Sequence, residues 1–268
     1  MINFTQYTFF PFLASILFNA VLSCNANGFL NPAPPPLAHQ IAGGSSYVRL
    51  AKPEPEPTVI NGIPYSVRAH WMREANKALN HPCPFAAFGS VVVNHTGSSA
   101  EEAGAPGELV CEGRNLGGVL GNPVMHGEIT AITNCSEILT SPDGPYRLSP
   151  TQALAAFADL TLYTNAESCP MCASAIRWAG FKEYVYGTSI NYLVEKGWGQ
   201  IRISSVEVFE RSRDLPRDTK VIGGVLTNET DGWFSWQFDE GVECPRGCER
   251  TQHEDDEHSL GTLCKSVE

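Results

Sequence analysis

Apolar residues repeat with two different spacings along the middle of the chain. Val67, Trp71, Ala75 and Leu79 lie four positions apart, which predicts an amphipathic helix over residues 63–80. Short runs of β-branched and aromatic residues instead predict strands, and a Gly/Ser-rich loop at 97–107 joins the first two into a hairpin. The predicted strands cover 85–93, 108–113, 160–164 and 183–187, and the further helices cover 125–139, 151–158 and 169–179. Strands that alternate with helices indicate an α/β layered domain.

The N-terminal 26 residues carry no charged side chain, and an apolar stretch runs from Phe9 to Leu22. This stretch is short for a bilayer span, which takes about 20 apolar residues. Small residues at Cys24 and Ala26 suit a signal-peptidase site. We therefore expect residues 1–26 to be a signal peptide of a secreted protein without a membrane span after cleavage. An uncleaved anchor is the alternative, because the basic residues usual at the start of a signal are missing.

Composition divides the rest of the chain into three parts. Residues 27–57 are rich in proline and lack periodicity, which predicts an extended linker. The helix and strand pattern occupies residues 58–212. Residues 213–268 lose this rhythm and include the charged run HEDDEH. We interpret them as an acidic, cysteine-containing C-terminal extension.

Charge narrows the class of partner. The chain has 29 acidic and 18 basic side chains, which gives a formal net charge of −11. Nucleic-acid binding requires Lys and Arg to displace counterions from phosphates. The balance therefore argues against a nucleic-acid partner and favours a small, neutral or weakly charged substrate.

Cysteine usage agrees with an oxidising compartment. Cys24 would leave with the signal, and Cys169 with Cys172 form a separate pair considered below. The remaining cysteines are Cys83, Cys111, Cys135, Cys244, Cys248 and Cys264. Their even number allows up to three disulfides, with Cys111 the best candidate for a plain buried thiol. Glycosylation acceptor triplets begin at Asn94, Asn134 and Asn228.

One group of residues has the composition of a hydrolytic zinc site. Zn²⁺ in such sites takes three protein ligands and keeps a fourth position for water. His126, Cys169 and Cys172 supply one imidazole and two thiolates, and the Cys-x-x-Cys spacing at a helix start lets both sulfurs face one ion. Glu128, two residues after His126, can reach the bound water without being a ligand and is the candidate proton shuttle.

These motifs resemble the cytidine deaminase superfamily of zinc deaminases. The resemblance rests on NPVMHGEITAI at 122–132 and TNAESCPMCASAI at 164–176, and it extends to FGSVVV at 88–93 and EGRN at 112–115. It covers about residues 58–212, and the Cys-Pro-Met-Cys form is most similar to guanine deaminases and the adenosine-deaminating branch. It implies a three-layer α/β/α fold with a mixed central sheet and hydrolytic deamination of a nucleobase or nucleoside, with a guanine-like purine favoured over cytosine or cytidine.

The resemblance also implies a set of substrate contacts. Asn115 would hydrogen-bond the base or ribose, and the Glu167 carbonyl would receive the departing amine. The amides of Gly127 and Glu128 would line the pocket, and Phe88 or Trp178 would stack on the ring. Members of the family are often oligomeric, so a homodimer is expected by resemblance alone.

Two departures and several alternatives accompany this interpretation. The family's usual proline before the first cysteine is Ser168 here, which removes a φ restraint but no ligand. Residues 140–158 look like an insertion. Trp178 has core packing as its alternative role, and Cys169 with Cys172 could instead form a disulfide. The rival functions are a tRNA-type adenosine deaminase and a catalytically silent secreted binding protein that keeps zinc or a disulfide for structure.

Overall fold

The computed structural model describes residues 47–49, 59–96, 105–251 and 264–267. The strands are β1 (Tyr47–Arg49), β2 (Val59–Ile60), β3 (Ile63–Pro64), β4 (Gly89–Asn94), β5 (Glu108–Arg114), β6 (Leu160–Ala166), β7 (Glu183–Thr188), β8 (Lys220–Gly223), β9 (Cys248–Arg250) and β10 (Cys264–Ser266). The α-helices are α1 (Tyr65–Lys77), α2 (Gly117–Leu120), α3 (Gly127–Thr140), α4 (Pro150–Ala156), α5 (Pro170–Ala179), α6 (Ile190–Glu195), α7 (Ser205–Glu210) and α8 (Thr227–Thr230). The predicted signal peptide 1–26 lies outside the described residues, as does most of the predicted linker.

The central sheet is mixed, with strand order β1-β8-β7-β6-β4-β5. β4 pairs antiparallel with both β5 and β6, so the predicted hairpin is confirmed. β6, β7, β8 and β1 run parallel to one another. Because parallel neighbours need crossover connections, helices cover the faces of this part of the sheet.

Side-chain alternation along the strands builds two cores, one on each face. Val91 and Val93 on β4 pack with α1, whereas Val92 between them packs with the α3 and α5 side. Tyr163 and Leu162 on β6 divide between the two faces in the same way. Because side chains alternate between the two faces, helices pack in one layer above the sheet and one layer below it, which confirms the α/β fold class.

Two short strands correct the boundaries drawn from composition. β8 belongs to the central sheet although it lies beyond residue 212, so the domain continues into the segment that was interpreted as an extension. Residues 47–49, inside the predicted linker, pair parallel with β8 at the edge of the sheet. Strands of three and four residues are too short to show the alternation that identifies a strand from sequence.

The described residues contain three disulfides, Cys83–Cys248, Cys111–Cys135 and Cys244–Cys264, while Cys169 and Cys172 are free. All six of these cysteines are therefore paired, and the interpretation of Cys111 as a plain buried thiol is wrong. Cys111 lies on β5 and Cys135 on α3, so this bond ties the helix that follows His126 to the edge of the sheet.

Across the described part of the chain, no helix combines the length and apolar character of a membrane span.

Candidate metal centre and active site

The three predicted ligands meet where two helices begin. His126 is the N-cap of α3, and Cys169 is the N-cap of α5, both with extended backbone. Pro170 follows Cys169 at the first helical position, where its missing N–H costs no hydrogen bond. Cys172 then lies one turn into α5 and is fully buried. The positive ends of both helix dipoles face this point, which favours thiolate charge there.

The spacing of the ligand atoms fits one zinc ion. His126 Nδ1 lies 3.6 Å from Cys169 Sγ and 3.6 Å from Cys172 Sγ. The three ligand atoms all lie within 4.8 Å of one another. A tetrahedral Zn²⁺ with ordinary Zn–N and Zn–S bond lengths separates a nitrogen from a sulfur by about 3.6 Å. The two nitrogen–sulfur distances therefore match those that a single tetrahedral zinc ion requires.

The two thiols differ in acidity because they share a hydrogen bond. The hydrogen bond from Cys172 lowers the pKa of Cys169 to about 4, and the hydrogen bond with His126 acts in the same direction. The pKa of Cys172 is raised, first by its hydrogen bond with Cys169 and then by burial. The hydrogen bond with Cys169 raises the pKa of His126. The group thus holds negative charge most readily on Cys169.

Glu128 is the second residue of α3 and is only 5% exposed. Burial raises the pKa of its carboxyl, while hydrogen bonding with the Ser168 side chain opposes this shift. A carboxyl whose pKa is moved upward by burial is suited to take and return a proton near neutral pH. The structure therefore places the predicted shuttle residue, buried, in the same helical turn as the predicted histidine ligand.

The backbone at the start of β4 lies close to the first turn of α3. The carbonyl oxygen of Phe88 accepts a hydrogen bond from the amide of Asn115 at 2.9 Å. A Cβ atom added at Gly127 would lie 2.8 Å from that same oxygen and 3.3 Å from Ser90 Oγ. Gly127 is therefore required for the close approach of α3 to β4. This packing role was not part of the sequence interpretation, which assigned only the Gly127 amide to the pocket.

The side chains of Asn115 and Phe88 are placed by contacts within the chain. Asn115 Oδ1 accepts a hydrogen bond from the Gly117 amide at 3.0 Å, which orients the carboxamide at the end of β5. The Phe88 ring packs against Trp198 at 5.2 Å and Phe234 at 5.0 Å between centroids. Phe88 is half-buried, so one part of its ring belongs to this aromatic cluster. Trp198 and Phe234 were missed because they lie far from the motifs in sequence.

Glu167 contributes a structural contact that sequence analysis did not foresee. Its carboxylate accepts hydrogen bonds from Ile190 N at 2.9 Å, Ser205 N at 2.9 Å and Ser205 Oγ at 2.8 Å. These groups stand at the starts of α6 and α7, so one side chain fixes the segment before Cys169 to two helices. This contact orients the backbone of the residue whose carbonyl the resemblance assigns to the departing amine.

Trp178 does not reach the metal centre within this chain. It lies nine positions after Cys169 on α5, and nine residues of α-helix rise about 13 Å along the axis. Its side chain is 77% exposed, so the alternative of core packing is wrong as well. A position near the C-terminal end of a helix that starts at the ligands is carried away from them by the helical rise.

Comparison with known proteins agrees with the geometry of this site. A family model described as the cytidine and deoxycytidylate deaminase zinc-binding region matches residues 66–188. The guanine deaminase of Bacillus subtilis is 32% identical over 111 residues, which are 41% of this chain and 56% of that protein. The cytosine deaminase of Candida albicans is 33% identical over 70 residues, 26% of this chain and 37% of that protein. The chain thus spans about half or less of the length of these curated relatives.

Solved structures give a more distant likeness. A guanine deaminase from Nitrosomonas europaea aligns with a TM-score of 0.42 at 18% identity, covering 67% of this chain and 86% of that one. A structure from a study of A-to-I editing by tRNA wobble-position deaminases aligns with a TM-score of 0.42 at 21% identity, covering 61% of this chain and 98% of that one.

Proposed function

Residues 66–188 belong to the cytidine deaminase-like superfamily, and from that premise we propose that this chain is a zinc-dependent hydrolytic deaminase of a nucleobase. The observation that carries the proposal is the position of His126 Nδ1, 3.6 Å from each of two free cysteine sulfurs, beside the buried Glu128. A structural zinc site would need a fourth protein ligand. Among the described residues, the cluster that could hold a metal contains only His126, Cys169 and Cys172.

His126, Cys169 and Cys172 would hold the metal, and a Zn²⁺ ion bound there would supply a Lewis acid that lowers the pKa of a water molecule. Glu128 would accept a proton from the attacking water on a carboxylate oxygen. The same oxygen would then deliver this proton to the ring nitrogen. Glu128 would next take the second proton of that water, from the hydroxyl now attached to the ring carbon, and deliver it to the departing amine, which leaves as ammonia. Burial limits the access of competing water to this carboxyl and raises its pKa, which favours its acting as an acid in the return step.

A free purine base, guanine-like, is the substrate that we favour. A guanine deaminase is 32% identical to this chain over 111 residues, and the Cys-Pro-Met-Cys form at 169–172 resembles that of guanine deaminases. Asn115 would hydrogen-bond the base, Phe88 would contact its face, and the carbonyl of Glu167 would accept from the amine. The net charge of −11 favours a neutral base over tRNA, because an acidic surface repels phosphates.

Ammonia release tests the proposal most directly. Zinc-loaded protein is incubated with guanine, cytosine, adenine and their nucleosides, and we expect release from guanine above the others. Removing the metal with a chelator should abolish release, and adding Zn²⁺ should restore it. Cys172→Ser, with one ligand changed, is the matched control that should bind less zinc and release less ammonia. Release that is unaffected by metal removal, or zinc-loaded protein that acts on none of these compounds, would contradict the proposal.

We also propose that the protein is secreted and that residues 1–26 are its signal. Three disulfides among the described residues support an oxidising compartment, since disulfides rarely persist in the cytosol. The triplets at Asn94, Asn134 and Asn228 would then be available for glycosylation, and a homodimer is proposed from the resemblance alone. Expression in a secreting eukaryotic cell tests this: the mature N-terminus should begin at Asn27, in the medium.

A further inference from the structure

Asn165 on β6 carries a polar side chain that is fully buried. Its Nδ2 donates hydrogen bonds to Asn76 Oδ1 at 3.0 Å and to the carbonyl oxygen of Ala87 at 2.8 Å. Its Oδ1 accepts a hydrogen bond from the amide of Gly89 at 3.0 Å. Because a carbonyl oxygen faces Nδ2 and an N–H group faces Oδ1, only one orientation of the carboxamide satisfies these contacts. The side chain of Asn165 is therefore fixed from three sides.

The two backbone contacts of this carboxamide lie on either side of Phe88. The pairing of β4 with β6 ends where Ser90 lies opposite Thr164. Asn165 is the next residue of β6, and its side chain makes the hydrogen bonds that a further backbone pair would have made. The residues just before Gly89 are in neither a helix nor a strand. The Asn165 carboxamide therefore ties both neighbours of Phe88 to the sheet.

The backbone of Phe88 in turn contacts the candidate active site. Its carbonyl oxygen accepts a hydrogen bond from the Asn115 amide at 2.9 Å. The same oxygen would lie 2.8 Å from a Cβ atom at Gly127, the residue between His126 and Glu128. With so little space, a displaced Phe88 carbonyl would lose the Asn115 amide or press on the first turn of α3. The position of this peptide therefore matters to the site.

We propose that Asn165 is a positioning residue for Phe88. By fixing the peptides on both sides of Phe88, the carboxamide sets where the Phe88 carbonyl meets the Asn115 amide. The proposal rests on the proposed deaminase function, because Phe88 and Asn115 are base contacts of that function. Within the described residues, none of the hydrogen bonds of the Asn165 side chain involves a candidate metal ligand, so Asn165 acts through Phe88.

Kinetics of the zinc-loaded protein with guanine test the role. Asn165→Ala removes both contacts beside Phe88, and we expect kcat/KM to fall about 10- to 100-fold, mostly through a higher KM, because displaced binding residues weaken the hold on the base. The zinc content should not change. Asn165→Ser, whose side chain is too short to reach both peptides, takes its place if Asn165→Ala does not fold.

Asn76→Ala is the matched control. It removes the hydrogen bond between Asn165 and α1 and leaves the contacts on both sides of Phe88 in place. A general loss of packing around Asn165 would affect both variants alike. We therefore expect the kcat/KM of Asn76→Ala to stay close to that of the unchanged protein.

Amide hydrogen exchange separates this proposal from the proposed function. In the unchanged protein, the amides of Gly89 and Asn115 should be protected, since both donate hydrogen bonds. Val185 on β7 is fully buried, and its amide reports opening of the whole domain. Relative to Val185, both amides should exchange about tenfold faster in Asn165→Ala, which corresponds to the loss of one hydrogen bond.

The outcomes distinguish the two proposals. If no base is deaminated but exchange at Asn115 is faster in Asn165→Ala and not in Asn76→Ala, the proposed function fails and Asn165 still positions Phe88. An unprotected Gly89 amide in the unchanged protein would overturn the positioning role without any variant. Unchanged exchange at Asn115, an unchanged kcat/KM in an active enzyme, loss of zinc in Asn165→Ala or equal losses in Asn76→Ala would each overturn it as well.

Discussion

Each face of the sheet buries a carboxylate, and the two carboxylates differ in whether a cation is paired with them. On the α1 face, the Glu183 carboxylate accepts hydrogen bonds from Arg68 Nη1 at 3.0 Å, from Arg68 Nη2 at 3.3 Å and from Asn61 Nδ2 at 2.5 Å. On the α3 face, Glu128 is 5% exposed, and neither a lysine nor an arginine of the described residues forms an ion pair with it.

The difference separates a structural group from a reactive one. A buried carboxylate that is paired with a guanidinium and hydrogen-bonded to an amide contributes to the fold only while these partners are present. Burial without a cation destabilises the charged form of Glu128 and raises its pKa, so the protein carries a group ready to exchange a proton. Removing the Glu128 charge should therefore affect turnover, and unbalancing the Glu183 pair should affect stability.

The largest expected effect is on turnover. Glu128→Gln keeps the shape and removes the proton-carrying oxygen, so kcat should fall by about 10² to 10⁴-fold, the usual value of acid–base catalysis. Zinc content and the free energy of unfolding should change little. Glu183→Gln is the matched control on the other face, and its activity per folded molecule should remain that of the unchanged protein. A fully active Glu128→Gln variant would place the shuttle elsewhere.

The next effect is on stability. Arg68→Met leaves the buried Glu183 carboxylate without its cation, and the free energy of unfolding should fall by about 3 to 5 kcal/mol. Replacing both partners, as in Arg68→Met with Glu183→Leu, should recover most of the loss, because no unpaired charge remains. Urea unfolding of the zinc-loaded variants measures both. If the double variant were no more stable than Arg68→Met, the pair would contribute through its other hydrogen bonds and not through charge balance.

The same contrast shows what sequence could predict. The order of strands and helices from residue 63 to 188 follows from periodicity, because each element buries one face and repeats its apolar residues accordingly. The meeting of His126, Cys169 and Cys172 was accessible because the ligand chemistry restricts residue type and spacing. In both cases, the pattern that permits the prediction is carried by residues that are close together in sequence.

The features that escaped prediction depend on contacts between distant positions. Arg68 and Glu183 are 115 residues apart, and neither has a neighbour in sequence that indicates the other. Trp198 and Phe234 meet Phe88 through packing alone. Ser168 looked like a neutral loss of proline, because its amide partner Tyr184 lies on a strand whose pattern indicates only burial. The disulfide pairing likewise required the fold.

The smallest effect is a pH dependence on the α1 face. His95 Nε2 lies 3.0 Å from Tyr163 Oη, and burial, followed by the charge of Arg68, lowers the pKa of His95 to about 4. Well above pH 6.5, His95 is neutral in both the folded and the unfolded chain, so it adds no pH dependence there. As pH falls from about 6.5 towards 4, the unfolded chain binds this proton first, and stability should decrease by less than about 1.4 kcal/mol per pH unit. Urea unfolding at pH 7.5, 6.5 and 5.5 should therefore show a steeper decline for the unchanged protein than for His95→Gln. Glu128 is present in both proteins, so its opposite contribution to the pH dependence cancels in the comparison. If the stability of the two proteins declined in parallel, His95 would be free to take up a proton in the folded state.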